Sequence, residues 1–140
     1  MILYPNSTSV FLAGTIDTGD SINWQEEVVK KYEETYNKEI IFFNPRRKDW
    51  NQFPIDLDYQ IKWEQRHLDA ADHIVMCLLD NSKSPISLLE LGLYAQSKKI
   101  TVFCNPEFYR YYNVKLTCDK YNIKLLPFSV EEVVLFLGTL

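Results

Sequence analysis

Residues 73–98, HIVMCLLDNSKSPISLLELGLYAQSK, decide the fold. The first seven are an unbroken apolar run of strand length, the pattern of a strand buried on both faces. Ser84 then supplies N-cap chemistry, and Pro85 suits the first helical position, where its missing N–H costs nothing. A helix is predicted from there to about Ser97. Glu90 lies in its second turn. Its helical neighbours Ile86, Ser87, Leu93 and Tyr94 include no cation and are mostly apolar. The expectation is a carboxylate on the inward face, just past the end of a buried strand, which is costly without a partner or a purpose. A Glu hydrogen-bonded to a neighbouring loop fits the same pattern. Gly92 interrupts the helix at a cost of about 1 kcal/mol relative to Ala, which points to close approach of another group to the backbone.

Working outward, the same strand-then-helix step recurs along the chain. Apolar strand-like runs occupy 9–13 (SVFLA), 39–43 (EIIFF), 100–104 (ITVFC) and, more weakly, 122–126 (NIKLL). Helical patterns fill about 24–36, 58–71, 107–120 and 129–138. Asn23 or Ser21 can cap the first of these, with Val28, Val29 and Tyr32 inward. The second places Ile61, Glu64 and Leu68 on one face. Strands alternating with helices imply a parallel sheet covered on both faces by right-handed crossovers. Five strands suit the flavodoxin-like α/β order 2-1-3-4-5, here as one domain over residues 1–140. In such sheets ligands bind beyond the C-terminal strand ends, at the switch point between strands 1 and 3. That rule collects Gly14, Thr15, Asp17, Asn44, Arg46, Arg47, Asp80, Ser84 and Glu90 at one edge.

Composition bounds the function. The chain has 140 residues, 46% of them hydrophobic, which suits one globular domain with a real core. Its net charge of −4 and lack of a basic stripe disfavour nucleic acid as a main partner. No apolar run reaches membrane-spanning length, and MILYPNSTS lacks a signal-peptide pattern. Cys77, Cys104 and Cys118 are odd in number and widely spaced, and read as reduced core thiols of a cytoplasmic protein. His67 and His73 show no metal-ligand spacing, so neither a metal nor a cofactor is expected.

The first loop lacks GxGxxG and GxxxxGK[ST], which disfavours a dinucleotide and nucleoside triphosphate hydrolysis. What remains is a pair of carboxylates, Glu64 and Glu90, on the two helices flanking strand 3. Paired carboxylates suit chemistry at an acetal-like carbon, one as nucleophile and the other as acid or base. Glu64 also fits a solvated helix position beside Arg66 and His67, and Arg46 and Arg47 also fit a charged loop. Trp50 and Trp63 fit core or rim positions as well as stacking on a base.

The segments VFLAGTID, NPRRKDW, QIKWE, LDAADHIV, SPISLLELG and YRYYNV occur here in that order. In this the chain resembles the nucleoside 2-deoxyribosyltransferase family, and within it the short bacterial and phage-type branch, over about residues 8–115. The resemblance implies a flavodoxin-like fold and a dimer or larger homo-oligomer with shared active sites. It also implies cleavage of the N-glycosidic bond of 2′-deoxynucleosides, with transfer of the deoxyribosyl group to a free nucleobase and no metal or cofactor. Residue by residue, Glu90 matches the nucleophile that attacks C1′. Glu64, eight residues before Asp72, matches a second acidic position where Asp is usual. Ser84 matches a residue near the 5′ position, and Asn113 one lent across the subunit interface to the 5′-hydroxyl. Phe11 stands where many relatives carry Tyr.

Two other activities fit the same residues. One is a hydrolase acting on 2′-deoxynucleoside 5′-monophosphates, with Ser84, Thr15 and the two arginines serving the phosphate. The other is a non-catalytic nucleotide sensor that keeps the pocket and a structural Glu90.

Overall fold

The computed structural model describes residues 7–16, 22–46 and 56–140. Strand and helix alternate as β1 (Thr8–Gly14), α1 (Trp24–Thr35), β2 (Ile40–Phe43), α2 (Leu57–Ala70), β3 (His73–Leu78), α3 (Pro85–Tyr94), β4 (Ile100–Cys104), α4 (Tyr111–Tyr121), β5 (Lys124–Leu126) and α5 (Val130–Leu137). Every strand pair is parallel, and the sheet order is β2-β1-β3-β4-β5. This is the flavodoxin-like arrangement that the alternation predicts. None of the described helices is long and apolar enough to cross a membrane.

The sheet is buried on both faces, so its strands are apolar without alternation, while side chains still alternate between two cores. Phe11 and Ala13 of β1, with Ile74, Met76 and Leu78 of β3, meet Leu68 of α2, Leu91 of α3 and Val114 of α4. Val10 and Leu12, with Val75 and Cys77, meet Trp24, Val28 and Tyr32 of α1 and Val133, Val134 and Leu137 of α5. Right-handed crossovers give this division, because the chain reverses direction across the sheet between β2 and β3.

Two side chains fix α2 and β3 from the edge opposite the loops. The Lys99 ammonium donates to the carbonyls of Leu68 (2.5 Å), Asp69 (3.1 Å) and Ala71 (3.1 Å), satisfying the end of α2 with a cation. The Asp72 carboxylate accepts from the Ser9 N–H at 2.8 Å, and the Asp72 N–H donates to Ser9 Oγ at 3.0 Å, which joins β1 to the start of β3.

Several expectations need correction. In α2 the inward stripe is Gln60, Trp63, Glu64, His67 and Leu68, and Ile61 is exposed. In α3, Ile86 and Leu93 are also exposed, because this helix is apolar nearly all round and periodicity could not choose its face. The same helix stops at Tyr94, short of Ser97, as the Ser97 N–H bonds back to the Tyr94 carbonyl. Helix α4 starts at Tyr111, later than 107, after Asn105 Oδ1 accepts from the Glu107 N–H (2.9 Å) and builds turns of its own.

Candidate functional site

The site begins where β1 runs out. Gly14 has φ of +128°, and a Cβ on it would lie 2.0 Å from the Cys77 carbonyl oxygen. Only glycine lets β1 lie this close to β3. The next N–H, of Thr15, donates to that carbonyl at 2.9 Å. Thr15 is fully buried. Its hydroxyl accepts from the Leu79 N–H (3.1 Å) and shares a hydrogen bond with Ser84 Oγ (3.0 Å), which in turn bonds Ser82 Oγ (2.5 Å). The Thr15 carbonyl accepts from Trp24 Nε1 at 2.9 Å. One threonine therefore ties the ends of β1 and β3 to the starts of α1 and α3.

Ser84 occupies the N-cap position of α3, as its sequence context predicts, but does not cap by its side chain. Its backbone is left-handed, with φ of 47° and ψ of 51°. That conformation costs a serine about 1 kcal/mol and turns its hydroxyl toward Thr15. The Ser84 carbonyl still accepts the first helical hydrogen bond, from the Leu88 N–H at 3.1 Å.

The loop after β2 forms a second wall. Asn44 Oδ1 accepts from the Arg46 N–H (2.9 Å), so Asn44 shapes the loop. The Arg46 guanidinium donates through Nε to Gln25 Oε1 (3.1 Å) and through Nη2 to the Ile22 carbonyl (2.9 Å). Gln25 is fully buried, and its Nε2 has no hydrogen-bond partner among the described residues.

Glu64 and Glu90 converge from α2 and α3. Glu90 is buried, and its pKa is pushed up to about 8, first by loss of solvent and then by the charge of Glu64. Glu64 is half-buried. Desolvation raises its pKa, and a hydrogen bond from Gln60 Nε2 (3.1 Å) works in the other direction. At α3 the helix N-terminus would favour ionised Glu90 by less than about 1 kcal/mol, and burial outweighs it. Trp63, next to Glu64 in the chain, lies 6.2 Å from Phe11 and stacks on His67 at 4.1 Å, centroid to centroid. Trp63 is thus held in an aromatic wall, not free on a rim.

Of the other residues proposed from sequence, Asp80 is exposed in the turn after β3. Asn113 is exposed on α4 and lines a groove of about 290 Å³ with Leu88, Leu91, Gly92, Arg110, Val114 and Thr117, a groove that Glu90 does not line. Among the described residues, nothing beyond its own helix and chain neighbours lies within 4 Å of a Cβ built on Gly92, so they do not make the close approach expected there. Asp17, Arg47 and Trp50 fall outside the described residues. Sequence reading missed Gln25, Gln60 and Ser82. A signal for Gln25 was present, since it shares an inward stripe with Val28 and Tyr32, where a polar residue is conspicuous.

No curated protein matches the chain. A crystal structure of a conserved protein from Enterococcus faecalis V583 superposes with a TM-score of 0.66, over 95% of this chain and 98% of that one, at 11% sequence identity. A likeness at that identity speaks to the fold alone. The family model described as nucleoside 2-deoxyribosyltransferase like matches residues 7–108. That span runs from β1 past α3 and takes in Thr15, Arg46, Glu64, Ser84 and Glu90, and the chain belongs to the nucleoside 2-deoxyribosyltransferase-like family.

Proposed function

We propose that the protein is a nucleoside 2-deoxyribosyltransferase, moving deoxyribose between nucleobases by retaining double displacement. The observation that carries this reading is the buried Glu90 carboxyl electrostatically coupled to Glu64 beyond β3. Glu90 attacks C1′ and displaces the base, whose nitrogen takes a proton from Glu64. An incoming base attacks C1′ from the opposite side, gives its proton to Glu64 and releases Glu90. Near neutral pH the empty pair holds a proton on Glu90. Passing that proton to Glu64 yields an ionised nucleophile and a protonated acid in one move, with no change in net charge. Phe11 and Trp63 belong to the apolar cluster that packs α2 and α3 onto the sheet, and apolar surface next to the pair would limit water attack on the covalent intermediate. This chemistry requires no metal or cofactor.

The site around Thr15, Gly14 and Asn44 would enclose the substrate, with Arg46 and Asp80 at its polar rim. The hydroxyls of Thr15, Ser82 and Ser84 at the start of α3 suit the 5′ end of the sugar, as an alcohol or as a phosphate. A hydrolase of 2′-deoxynucleoside 5′-monophosphates is therefore the second reading. The oligomer belongs to the proposal too, with Asn113 completing a neighbouring subunit's site.

Incubation with deoxyinosine and adenine should give deoxyadenosine of β configuration, and Glu90→Ala should lower the rate by several orders of magnitude. Release of free base from a deoxynucleoside monophosphate without transfer would favour the hydrolase. A Glu90→Ala variant with near-normal turnover would defeat the double displacement.

A further inference from the structure

Gln60 sits on the inward stripe of α2, one turn before Glu64, and carries no charge to offer a substrate. Its carboxamide nitrogen donates to Glu64 Oε2 at 3.1 Å and to the Pro45 carbonyl at 3.3 Å. A primary amide has two N–H bonds, so these two acceptors use both. Pro45 is itself buried and immediately precedes Arg46, whose guanidinium is held against α1. The bond to Glu64 lies within α2, and the bond to Pro45 is the one that leaves the helix, so a single nitrogen joins Glu64 to the loop after β2.

We propose that Gln60 is a positioning residue that sets the Glu64 carboxylate and the Arg46 loop as one unit. The role assigned to Glu64 rests on the proposed transferase reading; the bridge itself does not. A glutamate on a helix has three side-chain torsions to fix, and the amide bond to Oε2 restricts them. The Pro45 bond holds the start of the Arg46 loop at the same distance from the helix. The charged group facing Glu64 from a neighbouring element, among the described residues, is Glu90 of α3.

Two variants test the bridge with opposite signs. Gln60→Met keeps the length and removes both donors, leaving the Glu64 carboxylate without its hydrogen bond. Gln60→Lys keeps donors for both acceptors and adds a positive charge. Titration of the Glu64 carboxyl by carbon-13 NMR, assigned with Glu64→Gln, should show an upward shift of about one unit in Gln60→Met and a downward shift in Gln60→Lys. With a deoxynucleoside substrate, Gln60→Met should lose about 10–100-fold in kcat and raise KM, since acid–base geometry and loop position fail together. Gln60→Lys should recover much of the KM effect. Superposable Glu64 titrations in all three proteins, or shifts of one sign in both variants, would overturn the proposal. A wild-type protein inert toward deoxynucleosides would instead defeat the transferase reading, while the NMR titrations would still decide the bridge.

Discussion

A carboxyl group that keeps its proton to about pH 8 makes stability depend on pH in a definite direction. Glu90 has an ordinary value of 4.5 when solvated and about 8 in the fold. Between those values the native protein holds a proton that the unfolded chain has released, so this contribution to stability is complete below about 4.5 and falls as pH rises through 8. Glu64 is raised as well and adds a smaller slope of the same sign. Urea unfolding of the wild type should show a loss of roughly 2–4 kcal/mol from pH 5 to pH 8.5, discounted for solvent near the pair. Glu90→Gln cannot ionise and should remove most of that slope, so that it is the more stable protein at pH 8.5. Parallel pH dependences in the two proteins would show that Glu90 ionises as an ordinary exposed glutamate. The same group sets the rate, because attack at C1′ needs the carboxylate. The competent free enzyme is the pair with one proton, which Glu90 can pass to Glu64, so in the wild type kcat/KM should fall as pH rises through about 8 and that proton is lost.

At the scale of elements, what the sequence revealed depended on whether one physical signal or several were in competition. The β3 run and its neighbours β1 and β4 were legible because a strand buried on both faces has no alternative at that length between turn residues. The end of β1 was legible as a glycine. Its φ of +128° and its approach to Cys77 were not, because both depend on a strand more than sixty residues away. Gly14→Ala should cost about 2–4 kcal/mol, as the neighbours to be displaced are backbone atoms, with urea unfolding as the measurement. A loss under about 0.5 kcal/mol would mean that the β1–β3 edge is looser than its geometry. The face of α3 was not legible, since Ile86, Leu88, Leu89, Leu91 and Leu93 offer apolar residues to every side. Position 84 was legible as a helix start, while its left-handed backbone follows from the pull of the Thr15 hydroxyl, a tertiary contact. The carboxylates were visible as residue types. That Gln25 and Gln60 brace the site depends on where the loop after β2 lies, which no local pattern encodes.

For the whole molecule, the described surface of one chain carries apolar side chains on two neighbouring helices. Ile86, Leu89 and Leu93 of α3 are 60%, 57% and 64% exposed, and Tyr112 and Leu116 of α4 are 76% and 64% exposed. Scattered apolar residues are ordinary on surfaces, but these lie on two helices that flank one groove. Of the four aromatics at 108–112, Phe108 is core and Tyr111 half-buried, which leaves Tyr109 and Tyr112 outside. Gly92 gives up about 1 kcal/mol of helix stability beside space that no described residue fills, a cost that a second subunit packed against the groove would offset. Asn113 lines the same groove and makes its proposed contribution only in an assembly. The protein should therefore elute and scatter light as a multiple of its 16.5 kDa chain. Leu89→Glu, with Leu93→Glu, should shift it toward one chain, because like charges would meet across a self-complementary interface at high desolvation cost. Folding should survive, as both side chains already face solvent in the single subunit. If transfer activity falls with dissociation and returns at higher protein concentration, the assembly completes the site. A fully active single chain of about 16.5 kDa would defeat the oligomer and the role given to Asn113.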